Sequence, residues 1–136
     1  MMGFLNRSPL CSVVVTAAAG ACVLVGWCLR HFRRVQVSGT SMVPTVEPGD
    51  RLLVVSGWPC RVRAGDVVVL GDPRDARPLV KRVVRSQGGQ VEVSGDNPAA
   101  STDSRHFGAV PIGMVGGRVV YRYWPPERVG RLPCRP

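Results

Sequence analysis

Residues 78–95 read PLVKRVVRSQGGQVEVSG, two valine-rich runs on either side of a Gly-Gly pair. β-Branched residues favour strands, and glycine is typical of the turns that bound them. Similar runs lie on both sides, namely VQVSG, RLLVV and DVVVL before this stretch and GGRVVYRYW after it. No stretch beyond residue 35 keeps an apolar period of 3.6 residues, and the best candidate for a helical turn begins near Ser41. The sequence therefore predicts a compact, mostly β domain over residues 35–136.

The segment before this domain is apolar. From Ser8 to Leu29 no residue is charged, and the centre reads SVVVTAAAGACVLVGWCL. About 20 helical residues span roughly 30 Å, the thickness of a bilayer core. The run is long for the apolar part of a cleavable signal peptide, and it has no polar face at helical spacing. We therefore expect residues 1–34 to form one N-terminal transmembrane anchor with a basic flank.

The net charge of +9 bears on possible partners. A basic balance suits nucleic acid or an anionic membrane surface. Four cations flank the apolar run, and the rest are scattered among nine acids without a basic helix or interleaved aromatic residues. This pattern does not favour nucleic acid, and the lipid bilayer is the expected partner.

The kinds of cation are more informative than their sum. Of 18 cationic residues, only Lys81 is a lysine. Arginine cannot be deprotonated in a protein, whereas a buried lysine can lose its proton near neutral pH. Lys81 is therefore a candidate for proton transfer.

Several other kinds of site lack their residues. The two histidines, His31 and His106, do not suit a Ser-His-Asp triad, and the domain has too few ligands at metal spacing for a zinc site. No phosphate-binding loop or pair of catalytic carboxylates is recognisable, so we expect neither a metal nor a cofactor. Cys60 and Cys134 lie outside the apolar run, and a bridge between them remains open.

The segment SGTSMVPT at residues 38–45 contains a candidate nucleophile. Gly39 permits a sharp turn or the close approach of a ligand. A serine at such a turn presents its hydroxyl together with its own backbone N–H, as nucleophilic attack and oxyanion stabilisation require. Ser41 fits this role, although an ordinary polar turn is the simpler interpretation of this segment by itself.

Lys81 must act as a neutral amine if it is a base. Lowering its pKa from about 10.4 to near 7 corresponds to roughly 4 kcal/mol, which burial among apolar side chains supplies. Strand alternation places Lys81 on one face with Leu79 and Val83. Arg82 then points the other way, toward solvent or an acid. An exposed strand lysine is the alternative.

The third candidate element is the polar loop GDNPAASTDSRHFG at residues 95–108. Within it, Ser101 is a candidate hydrogen-bond partner for the lysine amine, and Asp103 is a candidate ion-pair partner for Arg105. A surface loop that satisfies its own polar groups through Asx turns is the alternative.

These segments, in this order, resemble the type I signal peptidase family of Ser/Lys proteases. That family carries a motif like SGxSMxPT around the nucleophile, then GD before an apolar strand, KR with the base, and GDNxxxSxDSR near the end. The second of these is GDVVVL here, and the match runs from about Val37 to Trp124. The closing WPPER at residues 124–128 is similar to the end of the mitochondrial inner-membrane protease subunits, a branch of the same family.

The resemblance implies a role for each matching residue. Ser41 becomes the nucleophile, Lys81 the general base, and Ser101 the residue that orients the lysine. Asp103 and Arg105 become a structural ion pair. The resemblance thus implies a serine endopeptidase that needs no metal.

The oxyanion hole would include the Ser41 backbone N–H. Some family members add a side-chain hydroxyl two residues before the nucleophile, where this chain has Gly39, so that donor is missing. Arg82, beside the base, would support the site structurally.

Length implies a reduced form of the family. Only twelve residues separate Arg82 from Gly95, where many members insert a second β domain. The expected fold is a signal-peptidase-like catalytic core with one transmembrane helix. Expected substrates are exported precursors with small residues before the cut. Similar short forms include actinobacterial proteases dedicated to one precursor, such as that of nickel superoxide dismutase. Whether a partner subunit is required stays open.

Location follows from the resemblance and conflicts with charge. A bacterial plasma membrane or mitochondrial inner membrane is expected, with the catalytic domain on the outer face. The flank RHFRR at residues 30–34 is more basic than the flank that contains Arg7. The positive-inside rule therefore predicts a cytoplasmic domain.

Two rival interpretations remain. Self-cleaving repressors share the Ser/Lys dyad, but they need an N-terminal DNA-binding helix pair, and this chain has an apolar run there. The second rival is a membrane-tethered β module that binds a peptide without cleaving it. Acylation of Ser41 by a serine-reactive probe distinguishes the module from the enzyme.

Overall fold

The computed structural model describes residues 9–57 and 61–133, with side chains described from Thr16 onward. The chain divides into two units, Met1–His31 and Phe32–Pro136. Cys60 and Cys134, the pair considered for a disulfide, lie outside the described residues.

The first unit contains helix α1, Pro9–His31. At its last turn the rings of Trp27 and His31 stack with centroids 4.6 Å apart. The Nδ1 atom of His31 lies 2.8 Å from the Trp27 carbonyl oxygen one turn earlier. Among the residues with described positions, no helix combines the length and apolarity needed to cross a bilayer.

The described part of the second unit is built on one antiparallel sheet of seven strands in the order β1-β2-β7-β3-β4-β5-β6. The prediction of a mostly β fold is therefore confirmed. The strands are β1 (Phe32–Gln36), β2 (Arg51–Val55), β3 (Val67–Gly71), β4 (Pro78–Gln87), β5 (Gln90–Ser94), β6 (Val110–Pro111) and β7 (Val115–Trp124).

The helical content differs in part from the expectation. The segment at Ser41 forms consecutive hydrogen-bonded turns, one of them closed by the helical i→i+4 bond from Val46 N–H to the Met42 carbonyl, as predicted, and it does not extend into a helix. A four-residue helix α2 covers Ser104–Phe107. Single 3₁₀ turns cover Pro98–Ala100, Ile112–Met114 and Pro126–Arg128. The first two lie between strands and the third follows β7, in each case where the valine-rich strand pattern is interrupted.

Side chains that alternate along the strands pack into two separate apolar clusters. In β3, Val67 packs in one cluster while Val68 and Leu70 pack in the other, as the two-residue period of a strand requires. Lys81 pairs with Val68 across β3 and β4, and Arg82 pairs with Val67. These neighbouring cations therefore leave β4 on opposite faces.

Candidate active site

The connection between β1 and β2 carries Ser41. Its turns are closed by backbone hydrogen bonds from Val43 N–H to the Thr40 carbonyl (3.2 Å) and from Val46 N–H to the Met42 carbonyl (2.9 Å). Met42 and Val46 are both fully buried in the first apolar cluster. The packing of these two side chains holds the loop against the sheet, and Ser41 remains partly exposed to solvent.

Lys81 is buried in the middle of β4, with 2% of its surface exposed. Its Nζ atom donates a hydrogen bond of 2.9 Å to Ser101 Oγ. Burial lowers the pKa of Lys81, because an ammonium group removed from water loses its hydration, while the Asp103 carboxylate acts in the opposite direction. The side chain therefore has the environment that favours a neutral amine.

Ser101 connects this lysine to Asp103. The Ser101 hydroxyl donates to Asp103 Oδ2 at 2.8 Å. Asp103 is completely buried and also accepts hydrogen bonds from the Gly95 N–H (3.0 Å) and the Arg105 guanidinium (2.8 Å to each oxygen). The hydrogen bond from Arg105 is the main reason that the pKa of Asp103 is well below its usual range. Asp103 is thus a fixed anion.

Local structure explains why Asp103 can hold this position. It is the N-cap of α2, and its carboxylate accepts from the Arg105 backbone N–H at 3.2 Å. The His106 side chain reaches back to the Asp103 backbone, completing a capping box. The short polar motif therefore forms one turn of helix because its own side chains satisfy the exposed backbone groups.

One cavity of about 480 Å³ brings the candidate residues together. Ser41 and Lys81 both line it, and so does Gly39. A Cβ atom built on Gly39 would meet nothing within 4 Å, so the backbone before Ser41 faces open space. The structure thus places the predicted nucleophile, base and oxyanion segment in one accessible site.

Arg82 belongs to a separate contact on the other face of β4. Its Nε and Nη2 atoms donate to the two oxygens of Asp96 at 2.8 and 2.7 Å, and both side chains are largely buried. Asp96 also accepts from Thr45 Oγ1 at 2.5 Å. Of the two partners left open for Arg82, the structure provides the acid. This pair joins the Ser41 loop, β4 and the loop after β5.

Two further residues were not selected from the sequence. Gly95 is buried, and a Cβ atom added there would lie 2.5 Å from the Ser41 carbonyl oxygen and would also overlap the Ser101 side chain. The Asn97 backbone N–H donates to the same Ser41 carbonyl at 2.9 Å. Gly95, Asp96 and Asn97 form the GDN that opens the polar loop, which was the available signal.

The arrangement suits acyl transfer by a hydroxyl and a neutral amine. No group of three or more His, Cys, Asp or Glu side chains within the described ranges is placed to hold a metal ion. The chemistry available is a serine hydroxyl, a buried amine and an anion that acts through a second hydroxyl.

Comparisons with known proteins point in the same direction. The sequence matches the family model for signal peptidase, peptidase S26, over residues 10–97 and 87–124. It is 37% identical over 122 residues to mitochondrial ATP-independent inner membrane protease subunit 1a of Arabidopsis thaliana, covering 71% of this chain and 73% of the relative. Human mitochondrial inner membrane protease subunit 1 is 30% identical over 125 residues, with 75% of each chain covered. Mitochondrial inner membrane protease subunit 2 of Mus musculus is 30% identical over 122 residues, covering 71% of this chain and 70% of the relative.

Proposed function

This chain belongs to the signal peptidase family, peptidase S26, and from that premise we propose that it is a membrane-anchored serine endopeptidase. In this proposal Ser41 is the nucleophile and Lys81 is the general base. The enzyme removes signal or leader peptides from precursor proteins.

The observation that carries the proposal is the environment of Lys81. Its amine is buried, burial lowers its pKa, and it lines the same cavity as Ser41. A solvent-exposed lysine would stay charged at neutral pH and could not accept a proton. A buried amine of this kind suits a general base, and the Ser41 hydroxyl in the same cavity suits a nucleophile.

The reaction proceeds through an acyl-enzyme. The neutral Lys81 amine takes the proton of Ser41 Oγ as this oxygen attacks the scissile carbonyl carbon. The Ser41 backbone N–H stabilises the oxyanion. The Lys81 ammonium then protonates the departing amine. Water attacks the ester and loses a proton to Lys81, and the Lys81 ammonium then protonates Ser41 Oγ as the C–O bond breaks, which releases the acid and restores both residues.

Ser101 and Asp103 orient the base in this mechanism. The Ser101 hydroxyl donates its hydrogen bond to Asp103, so the oxygen of Ser101 is free to accept a hydrogen bond from Lys81 Nζ. One N–H of the lysine is thereby fixed toward Ser101. The lone pair of the neutral amine is directed elsewhere, and the proposal assigns it to the Ser41 side of the cavity.

We propose that the uncharged run from Ser8 to Leu29 is the membrane anchor, in a bacterial plasma membrane or a mitochondrial inner membrane. The relatives are named as inner membrane proteases, which supports membrane association. The catalytic domain is placed on the outer face, where exported precursors emerge. The relatives are also named as subunits, and the proposal therefore includes a partner subunit that associates with this chain.

A second candidate function is the maturation of one dedicated precursor. It is favoured by the connection between β4 and β5, which consists of Gly88 and Gly89 alone. A larger β domain, which would widen the substrate surface, is not inserted at this point. A narrow substrate range is therefore consistent with the site.

The test uses the full chain in detergent with a panel of precursor peptides bearing small residues before the cut. Wild-type protein is expected to cleave at least one peptide, and Ser41→Ala none. A serine-reactive acylating probe should add its mass to the peptide that contains Ser41. A protein that binds the peptides, cleaves none and is not acylated would be the non-catalytic β module.

A further inference from the structure

The turn between β3 and β4 carries a buried carboxylate that faces the proposed active site. Asp72 follows β3 directly, has 3% of its surface exposed, and lines the same cavity as Lys81. The turn is fixed by backbone hydrogen bonds from Asp72 N–H to the Arg77 carbonyl and from Ala76 N–H to the Asp72 carbonyl, both 2.8 Å. The position of Asp72 is therefore set by backbone hydrogen bonds as well as by side-chain contacts.

Arg74 satisfies both oxygens of that carboxylate. The Arg74 Nε and backbone N–H donate to Asp72 Oδ1 at 2.9 Å each, and Nη2 donates to Oδ2 at 2.5 Å. The guanidinium itself remains half exposed. This arrangement is a bidentate pair in which a solvent-facing cation covers an anion on the cavity side.

We propose that Asp72 and Arg74 set the proton affinity of Lys81, with Arg74 cancelling the charge of a carboxylate that would otherwise hold the Lys81 amine in its protonated form. This inference rests on the proposed role of Lys81 as the base. Neither residue reacts; both are positioning residues that act through the lysine.

The charges around Lys81 show why this pair matters. The Asp103 carboxylate and the Asp72 carboxylate both favour the ammonium, and Arg105 opposes it. Asp103 is bound by Arg105, and Asp72 is bound by Arg74, so each anion has its own guanidinium. Arg77 also reaches the cavity and pairs with Asp75. The charged groups around Lys81 are thus Asp72, Arg74 and Arg77 of the β3–β4 turn, which line the same cavity, and Asp103 and Arg105 from the loop and α2.

Removing the cation and removing the anion of this pair should shift the protonation of Lys81 in opposite directions. Arg74→Gln leaves a nearly uncompensated anion in the cavity wall, so the protonated lysine becomes more stable. Asp72→Asn keeps an oxygen that can accept the turn hydrogen bond but removes the anion, so the neutral amine becomes more stable. The double variant removes both charges and should come close to the wild-type value. A purely structural role predicts no such reversal of sign.

The sequence permits a direct measurement, because Lys81 is the only lysine. Protein labelled with ¹³C-lysine gives one side-chain signal, and its Cε shift is followed against pH in detergent. The titration midpoint is expected to rise by about half a pH unit or more in Arg74→Gln, and to fall by a similar amount in Asp72→Asn. Arg85→Gln, which removes one exposed cation that contacts Gln87, is the matched control with no shift.

Shifts of the same sign in both single variants, or midpoints within 0.2 unit of wild type, would overturn the inference. The acid limb of kcat/KM should move with the NMR midpoint in each variant. If the limb is absent because wild-type protein cleaves nothing, the proposed function fails while the titration still decides the role of the pair.

Discussion

The Nζ atom of Lys81 lies 2.9 Å from Ser101 Oγ, and this oxygen in turn lies 2.8 Å from a carboxylate oxygen of Asp103. An ionised carboxylate only accepts hydrogen bonds, so the Ser101 proton points to Asp103. The lysine must therefore be the donor toward Ser101 whether it is charged or neutral. The geometry fixes the direction of one N–H and so restricts where the remaining hydrogens and the lone pair can point.

Ser101→Ala should reduce kcat by about 10²-fold with little change in KM, because the lysine loses its orientation while the substrate cavity keeps its shape. Steady-state kinetics on a cleaved precursor peptide measures this. Ser86→Ala, an exposed serine on the same strand as Lys81, is the control. A wild-type kcat in Ser101→Ala would show that the hydroxyl does not orient the base.

Lys81→Arg should abolish cleavage, because a guanidinium does not release its proton at any pH that the protein survives. We expect a loss of at least about 10³-fold in kcat/KM. Lys81→Met should be equally inactive but at least as stable as wild type, since it removes a buried amine and keeps a side chain of similar length. Urea unfolding and circular dichroism separate inactivity from misfolding. Appreciable cleavage by either variant contradicts the assignment of Lys81.

The strands were predictable from the sequence because β-branched runs coincide with buried, alternating positions. The start of β1 was not. Phe32 to Arg34 look like a basic membrane flank, yet they pair with Leu53 to Val55 of β2. That pairing depends on a strand about twenty positions later in the chain, and local composition does not contain it. The two-residue β6 is too short to leave a recognisable pattern.

Candidate site residues could be selected from the sequence where one residue type was unusual. Lys81 is the single lysine, and the SGTSMVPT segment has a distinctive order. Asp96 and Asp72 were missed because their importance comes from partners brought near by folding. An aspartate in a loop is most often a turn residue, and only the buried contacts with Arg82 and Arg74 distinguish these two.

Stability should depend on pH through Lys81. Its folded-state pKa is lower than its ordinary value of 10.5, so between those two values the unfolded chain binds more protons than the folded one. The free energy of unfolding must therefore rise with pH between the folded-state and unfolded-state pKa values. Below the folded-state pKa, Lys81 is protonated in both states and this stabilisation is absent. Urea titrations at several pH values measure the slope. Lys81→Met should flatten the curve, and an unchanged slope in that variant would mean that the amine is not the titrating group.

Asp96→Asn should destabilise the fold by about 3 kcal/mol, because it leaves the buried Arg82 guanidinium without its anion and weakens the contact to Thr45. The exposed pair of Arg77 and Asp75 provides the comparison, and Asp75→Asn should have a much smaller effect, because water screens that pair. Both are measured by urea unfolding at one pH. Equal effects would show that burial of the Arg82 pair contributes nothing special.

Gly95→Ala should inactivate the enzyme without any change to a reacting group. The added methyl would lie 2.5 Å from the Ser41 carbonyl oxygen and would overlap Ser101, a separation that atoms do not adopt. Either the Ser41 loop or the loop that carries Ser101 must therefore move, and both hold proposed site residues. A displacement of about 1 Å is enough to reduce turnover about 10²-fold. Gly113→Ala is the matched control, because a Cβ there meets nothing within 4 Å. Kinetics and urea unfolding are compared for the two variants, and activity equal to wild type in Gly95→Ala would mean that this close approach does not hold the site together.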